Sequence, residues 1–292
     1  MSSRVLLVGD AMFDVVVQPT GAVAPTSDTP ANVRVSRGGA AANVAVALAS
    51  YGHEVVYVGV IGDDVFGSMF AEDLERNGVT AQVEVAPGST GMVVALVAPD
   101  GQRSMMTDRG VNGLLTLDAV RQALDASFDH LHVSGYTLLD ERTRAMGASA
   151  LALARERGLS TSVDVCSVGP LAQVTAATFL GAAEFASMLF ANEEEALLLA
   201  DVGGVDEATS VLARRFAEVF VTRGRDGALA VIGDQRWHEE SQSLEVLDTT
   251  GAGDAASGAY LAARLYGEDA PASLVQAMVR AATVVRGLGA RG

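Results

Sequence analysis

The chain contains no lysine. Its 20 basic residues are all arginine and stand against 36 acidic residues, which gives a formal net charge of −16. The absence of lysine excludes P-loop NTPases, protein kinases that use a strand lysine, and enzymes that form a Schiff base through a lysine. The acidic excess argues against a nucleic-acid partner, because binding to backbone phosphates requires a basic face.

Cysteine and long apolar segments are also scarce. The one cysteine, Cys166, cannot form an internal disulfide, which is typical of proteins from a reducing cytoplasm. The sequence has no apolar run of about 18 residues and no charged-then-apolar leader at its N-terminus. We therefore expect a cytoplasmic protein that has no membrane partner.

Predicted strands and helices alternate along most of the chain. This alternation predicts an α/β fold, a doubly wound and mostly parallel sheet with helices on both faces. Among the predicted helices are those over residues 141–157, 171–180, 209–216 and 275–286.

Two stretches, about 11–37 and 81–108, show the period of two that is typical of strands with one exposed face. In the second stretch, strands are predicted at 82–85, 91–98 and 102–106, with Asp100-Gly101 as a hairpin turn. Although the two stretches are distant in sequence, we expect them to form one small sheet. The prediction is thus a single domain over residues 1–292 with this sheet inserted in the α/β core.

A glycine-rich turn, Gly251-Ala252-Gly253-Asp254, lies between a predicted strand at 243–247 and a predicted helix. Backbone N–H groups exposed by glycine, together with the positive end of a helix, form an anion site. A carboxylate beside such a site would repel phosphate unless it accepts a proton from a hydroxyl group that attacks the phosphate. The turn therefore predicts phosphoryl transfer, with Asp254 as the catalytic base.

Two other interpretations of this turn are open at this point. Its glycines and Ala256 also fit the dinucleotide-binding pattern, but that pattern needs a second strand ending in an acid about 20 residues later. Here the acids at 268 and 269 fall in a predicted loop. Alternatively, Asp254 is only the N-cap of the following helix.

Other motifs occur in order along the chain. They are Gly38-Gly39 followed by Asn43 at the head of a helix, Asn192-Glu193-Glu194-Glu195, Thr222-Arg223-Gly224-Arg225-Asp226-Gly227, and the C-terminal glycine turn. Together they resemble the signatures of the ribokinase-like carbohydrate kinases, a family that includes ribokinase, fructokinase and adenosine kinase. The resemblance covers almost the whole chain and implies a ribokinase-like fold in which the small sheet is a lid over the sugar.

The resemblance implies ATP-dependent phosphorylation of a hydroxyl group on a sugar or sugar-like molecule. A nucleoside kinase of the adenosine or pseudouridine type is the alternative acceptor class. A relative that binds ligands without catalysis is the alternative from another class, but the intact Asp254 and the unbroken turn before it argue against that alternative. The resemblance also allows a homodimer formed through the lid sheet.

For the nucleotide, the resemblance implies that the amides of Gly251, Ala252 and Gly253 bind the γ-phosphate. It places ATP against Asn192, Thr222, Gly224, Gly227 and Met278, the last on a helix that walls the adenine slot.

Two cations are implied by the same resemblance. Glu195, together with Asn192, would organise Mg²⁺ through water, although the spacing of these two residues equally fits a helix capping box. Asp248 and the Thr250 carbonyl would hold a monovalent cation, usually K⁺.

For the acceptor, the resemblance places Asp14, Gly38, Gly39 and Asn43 against sugar hydroxyl groups. Arg103 on a lid strand is a further candidate for substrate or phosphate, and a solvated charge on an edge strand is the equal alternative. Ribokinase has a lysine where this chain has Ala40, which argues against ribose as the acceptor.

Overall fold

We describe a computed structural model of the chain over residues 1–98, 103–125, 127–242 and 249–286. Its strands are β1 (Arg4–Val8), β2 (Met12–Pro19), β3 (Ala31–Gly38), β4 (Glu54–Gly62), β5 (Val79–Ala86), β6 (Gly91–Val97), β7 (Arg103–Asp108), β8 (His130–Ser134), β9 (Ser160–Asp164), β10 (Met188–Asn192), β11 (Glu218–Thr222), β12 (Ala228–Ile232) and β13 (Gln235–Glu239). Its helices are α1 (Ala40–Ser50), α2 (Val65–Arg76), α3 (Leu117–Ala123), α4 (Gly135–Leu139), α5 (Arg144–Glu156), α6 (Val168–Val174), α7 (Ala176–Ala182), α8 (Glu193–Ala200), α9 (Val205–Leu212), α10 (Ala252–Leu265) and α11 (Ala270–Val284).

The larger of two sheets has nine strands in the order β13-β12-β11-β10-β9-β8-β1-β4-β5. In this order, the strands from β11 through β5 run parallel to their neighbours. At the other edge, β12 pairs antiparallel with β11, and β13 pairs antiparallel with β12. The predicted mostly parallel sheet is confirmed. Its parallel strands end together at one edge, where side chains from several strands meet.

Helices cover both faces of the large sheet. Because side chains alternate along a strand, Leu6 and Val8 of β1 pack into one hydrophobic cluster with helices α3, α5, α7, α8 and α9. Val5 and Leu7 pack into the other cluster with α1, α2, α10 and α11. All four side chains are fully buried, so the doubly wound architecture is confirmed. No helix in the described ranges is long and apolar enough to cross a membrane.

The smaller sheet has four strands in the order β3-β2-β6-β7. It joins the two β-rich stretches as predicted, but the strand expected at 82–85 belongs elsewhere. That strand is β5, which pairs in parallel with β4 at the edge of the large sheet. Its alternating exposure reflects an edge strand with one solvated face, and a period of two does not reveal which sheet a strand joins.

Three helix predictions need correction. The helix predicted at 171–180 is two short helices, α6 and α7, separated by Thr175 with a φ of +81°. The helix predicted at 141–157 begins at Arg144, after the separate α4, and that predicted at 209–216 ends at Leu212. The predicted Asp100-Gly101 turn and the strand at 243–247 lie outside the described residues.

Buried hydrogen bonds fasten α10 to the large sheet. The Tyr260 hydroxyl donates to Glu218 Oε1 over 2.6 Å, and Arg264 donates to both oxygens of the same carboxylate, from Nε over 2.8 Å and from Nη2 over 3.1 Å. Glu218 begins β11 and is buried, so its charge depends on these partners. The helix that carries Asp254 in its first turn is thereby held in register with the sheet.

Small side chains let α10 approach α1 closely. A Cβ atom added to Gly258 of α10 would lie 2.5 Å from Cβ of Ala47 in α1, closer than any real carbon contact. The small-residue run after Asp254 is therefore a packing surface. This close packing brings the first turns of the two helices together.

We predict that Gly258→Ala destabilises the protein, although alanine is ordinarily the better helix former. The added methyl group collides with Ala47 and forces the helices apart, at a cost of about 1–3 kcal/mol in the free energy of unfolding. Gly181→Ala in α7 is the matched control, since its added methyl group meets nothing within 4 Å. Denaturant unfolding that shows Gly258→Ala to be as stable as the parent would contradict this packing.

Candidate active site

The first glycine motif lies where the small sheet joins the large one. A side chain on Gly38, at the end of β3, would collide with the Asp14 carboxylate, whose oxygens lie 2.6 and 2.7 Å from the Cβ position. Gly39 has a φ of +92°, and a Cβ atom there would lie 2.4 Å from the carbonyl oxygen of Asp10. Only glycine at both positions allows this approach, which places Asp14 beside the start of α1.

Asn43 connects this region to the glycine turn near the C-terminus. It lies in the first turn of α1, is buried, and donates from Nδ2 to Oδ2 of Asp254 over 2.7 Å. The contact of Asn43 with the sugar stays a prediction, and the structure shows in addition that its amide is bound to the predicted base. Residues 211 positions apart in sequence thus form one site.

The glycine turn has the predicted form. Gly251 is the N-cap of α10 with a φ of +72°, and Asp254 stands in the first helical turn. First-turn amides of a helix have no carbonyl partner inside the helix, which suits them to bind an anion. The Ala252 amide donates to the Thr249 carbonyl over 3.2 Å and closes the turn. The binding of phosphate by the three amides stays a prediction.

Of the two residues predicted for the monovalent cation, one lies among the described residues. Thr250 lies in the turn and is half-buried, while Asp248 lies outside the described residues. Arg103 begins β7 opposite Val97, which places it on an edge strand of the small sheet.

A cleft of about 560 Å³ adjoins the glycine turn. Its lining includes six of the residues predicted for ATP and its phosphates, namely Thr222, Gly224, Gly227, Ala252, Gly253 and Met278. Ala281 and Val285 of the C-terminal region add apolar surface beside Met278. The volume falls in the range of small-molecule pockets, and the combination of helix N-terminus and apolar wall suits a nucleotide.

The turn between β11 and β12 also requires glycine. Gly224 has a φ of +56° and Gly227 a φ of +82°, and a Cβ atom on Gly227 would lie 1.9 Å from the Glu239 carbonyl oxygen. The Arg223 amide closes the turn by donating to the Gly227 carbonyl over 2.7 Å. The motif therefore shapes one wall of the cleft through its backbone.

Asn192 and Glu195 form the capping box that their spacing allows. The Glu195 amide donates to Asn192 Oδ1 over 2.8 Å, and the Asn192 amide donates to Glu195 Oε2 over 2.9 Å. Glu195 is buried while Asn192 is exposed, and neither is among the lining residues of the cleft. This pair therefore caps the N-terminus of α8.

Asp164 is a further buried carboxylate at this edge of the sheet, and the sequence analysis assigns no role to it. It ends β9, is buried, and accepts from the Cys166 amide over 3.0 Å and from the Ser257 hydroxyl over 3.4 Å. Burial and the charge of Glu195 raise the pKa of Asp164 above its ordinary value. Its position at the carboxyl end of a buried parallel strand is the sequence signal that points to this edge of the sheet.

Glu195 forms an acidic group with Asp164 and Asp254. Burial raises its pKa, and the charge of Asp254 adds to the increase, against hydrogen bonds from Asn192. Asp164, Glu195 and Asp254 therefore influence one another at the carboxyl edge of the sheet. Among the described residues, no three His, Cys, Asp or Glu side chains come together as a direct metal site.

A second charged group was also missed by the sequence analysis. Asp10, buried just after β1, forms an ion pair with Arg109, which also pairs with Asp140 over 3.1 Å. The Arg109 guanidinium lies 5.3 Å from the ring centroid of Tyr136. These contacts stiffen the junction beside Gly39, where both sheets meet.

Comparison with known proteins identifies the family of the chain. A family model described as pfkB family carbohydrate kinase matches residues 2–292. Fructokinase-1 of Oryza sativa subsp. japonica is 31% identical over 269 residues, which cover 89% of this chain and 82% of that protein. An ATP-dependent ribose-1-phosphate kinase of Halopiger xanaduensis is 30% identical over 296 residues, which cover 99% of this chain and 94% of that protein.

Among solved structures, adenosine kinase from Sinorhizobium meliloti superposes with a TM-score of 0.90 at 25% identity, covering 100% of this chain and 96% of that one. The predicted ribokinase-like fold is confirmed by this similarity. The family match extends over nearly the entire sequence. The chain therefore belongs to the pfkB carbohydrate kinase family and is an ATP-dependent small-molecule kinase.

Proposed function

We propose that this kinase phosphorylates a hydroxyl group of a sugar or sugar-like molecule, with Asp254 as the catalytic base. The observation that carries the proposal is the 2.7 Å hydrogen bond from Asn43 to Asp254. Through this bond, the Asp254 carboxylate lies close to the start of α1, where the pair Gly38-Gly39 packs against Asp14. The proposed base, the anion site at the start of α10 and the polar region around Asp14, where we place the phosphoryl acceptor, are thus adjacent.

In the proposed reaction, the acceptor oxygen forms a bond to the γ-phosphorus of ATP. The bond from that phosphorus to the bridging oxygen breaks, and ADP leaves with the electron pair. The proton of the acceptor hydroxyl passes to Asp254 as the oxygen attacks, an effect worth about 10²–10⁴ in rate. Asn43 orients the carboxylate, and the start of α10 stabilises the charge that grows on the phosphate oxygens.

The acceptor region supports a polyhydroxyl substrate. The Asp14 carboxylate can accept hydrogen bonds from neighbouring hydroxyl groups, and the glycine pair lets it lie close to the start of α1. Asp14 and Arg34 face the same side of the small sheet, because Arg34 of β3 is paired with Val16, which lies two residues after Asp14 in β2. We place the acceptor between this side of the small sheet and Asp254.

Mg²⁺ fits the chemistry of the acidic group. Glu195 and Asp164 are buried carboxylates, and a cation nearby would relieve the cost of burying their charges. We propose that Glu195 holds Mg²⁺ through water, with Asn192 at the surface beside it. When bound with ATP, Mg²⁺ neutralises part of the phosphate charge.

The test of this function is ADP release from ATP with a panel of sugars and nucleosides. A nucleoside is the second acceptor class, and the overall similarity to an adenosine kinase favours its inclusion. Turnover of sugars supports the proposal, and turnover of nucleosides alone would replace it with the second class. A protein that binds ATP but turns over no acceptor would be a binding relative without catalysis.

We predict that Asp254→Asn lowers kcat by roughly 10² or more with the best acceptor, because the amide cannot take the proton. Its carbonyl oxygen can still accept from Asn43, so the fold and ATP affinity should be retained. Steady-state kinetics, ATP binding and thermal unfolding would be compared with the parent. Turnover near the parent rate would mean that the proton goes to another group.

We also propose that the small sheet closes over the acceptor. Hydrogen exchange at saturating acceptor should slow in β2, β3, β6 and β7, because closure excludes water from their amides. The edge strand β5 serves as an internal control, since it belongs to the large sheet and should not change. Equal exchange in the small sheet with and without acceptor would remove the lid from the mechanism.

The monovalent cation is proposed for the turn that precedes α10, with Asp248 and the Thr250 carbonyl as ligands. A large, weakly hydrated cation there would fix the amides that face phosphate. We predict faster turnover in potassium than in sodium at equal ionic strength, and no such difference in Asp248→Ala. If the parent enzyme works at one rate in both salts, the cation has no part in catalysis.

A further inference from the structure

Arg225 is the charged residue in the lining of the 560 Å³ cleft, which otherwise consists of glycine, alanine, valine, methionine, serine and threonine. It lies in the short turn Gly224–Asp226 between β11 and β12, and its side chain is exposed. Gly224 and Gly227 on either side of it have positive φ angles, which shape the turn along the cleft wall. The turn therefore holds a guanidinium group at the cleft.

Other arginines around the site are already engaged. Arg223 pairs with Glu193 over 3.1 Å, and Arg264 is bound to Glu218. Arg109 pairs with Asp10 and Asp140. In the part of the chain that the structure describes, no ion pair or hydrogen bond of the Arg225 side chain is found, so its five donors are available to a ligand.

The negative charge around the cleft favours a cationic side chain that can bind an anionic ligand there. Asp254, Glu195 and Asp164 form an acidic group on the side of the glycine turn, and the whole chain has a net charge of −16 without any lysine. A nucleoside triphosphate brings further negative charge into this region. Phosphate oxygens match the planar fork of a guanidinium, which can donate two parallel hydrogen bonds.

We propose that Arg225 binds the phosphate groups of the nucleotide and thereby positions ATP in the cleft. The inference rests on the proposed function, because it takes this cleft to be the ATP site. Since Arg225 is exposed, its contact with phosphate is a partly solvated ion pair that strengthens binding more than the chemical step. Its effect should therefore appear in KM for ATP and in the response to salt.

The test compares Arg225→Gln, Arg225→Lys and the remote Arg121→Gln, which removes one positive charge from an exposed pair with Asp118. We expect Arg225→Gln to raise KM for ATP about fivefold with a smaller change in kcat, as for loss of one partly solvated ion contact. Arg225→Lys should recover part of the loss. Added salt should raise KM for ATP more steeply in the parent than in Arg225→Gln, and Arg121→Gln should behave as the parent.

An unchanged KM for ATP in Arg225→Gln would overturn the proposal. So would an increase whose salt response equals that of the parent, because it would point to altered packing of the turn. Direct binding of ATP to the parent separates this failure from failure of the proposed function. A parent that binds ATP while Arg225→Gln binds it equally well contradicts only the role of Arg225, whereas a parent that binds no ATP contradicts the assignment of the cleft.

Discussion

The hydrogen bond between Asn43 and Asp254 is the contact on which the proposed mechanism depends. It joins the first turns of α1 and α10, the helices that follow the two glycine motifs. Close packing of these helices, with Gly258 against Ala47, brings the two side chains within reach of each other. The buried network of Glu218, Tyr260 and Arg264 then holds α10 on the sheet, so that the position of the carboxylate is set by the core.

Charge balance is the second constraint on this site. Three carboxylates lie at the carboxyl edge of the sheet, and two of them are buried with raised pKa values. A chain without lysine must offset substrate phosphate by other means, and we propose that helix amides, arginine and a divalent cation do so here. Arg109 is held by Asp10 and Asp140 at the junction of the two sheets, while Arg225 lies at the cleft that we propose for ATP.

The sequence predicted the local features well, because each glycine motif has a backbone requirement that only glycine meets. Gly39, Gly227 and Gly251 all have positive φ angles, and the turn before Asp254 opens a helix as expected. Relations between distant elements were harder to predict. The partner of Asn43 depends on the packing of α1 against α10. The pairing of β5 with the large sheet was not predicted, because the hydrophobic period of a strand does not encode its neighbour. The raised pKa of Asp164 could not be predicted from sequence either, because it depends on burial and on the charge of Glu195, which lies on another element.

The measurement that tests the central claim most directly is a double-mutant cycle on kcat with Asn43→Ala, Asp254→Asn and the combined variant. If Asn43 acts by orienting the Asp254 carboxylate, its removal should slow the parent strongly and the Asp254→Asn enzyme only slightly. The two losses would then be far from additive. An equal loss from Asn43→Ala in both backgrounds would contradict the account, because Asn43 would then act on the substrate independently of the base.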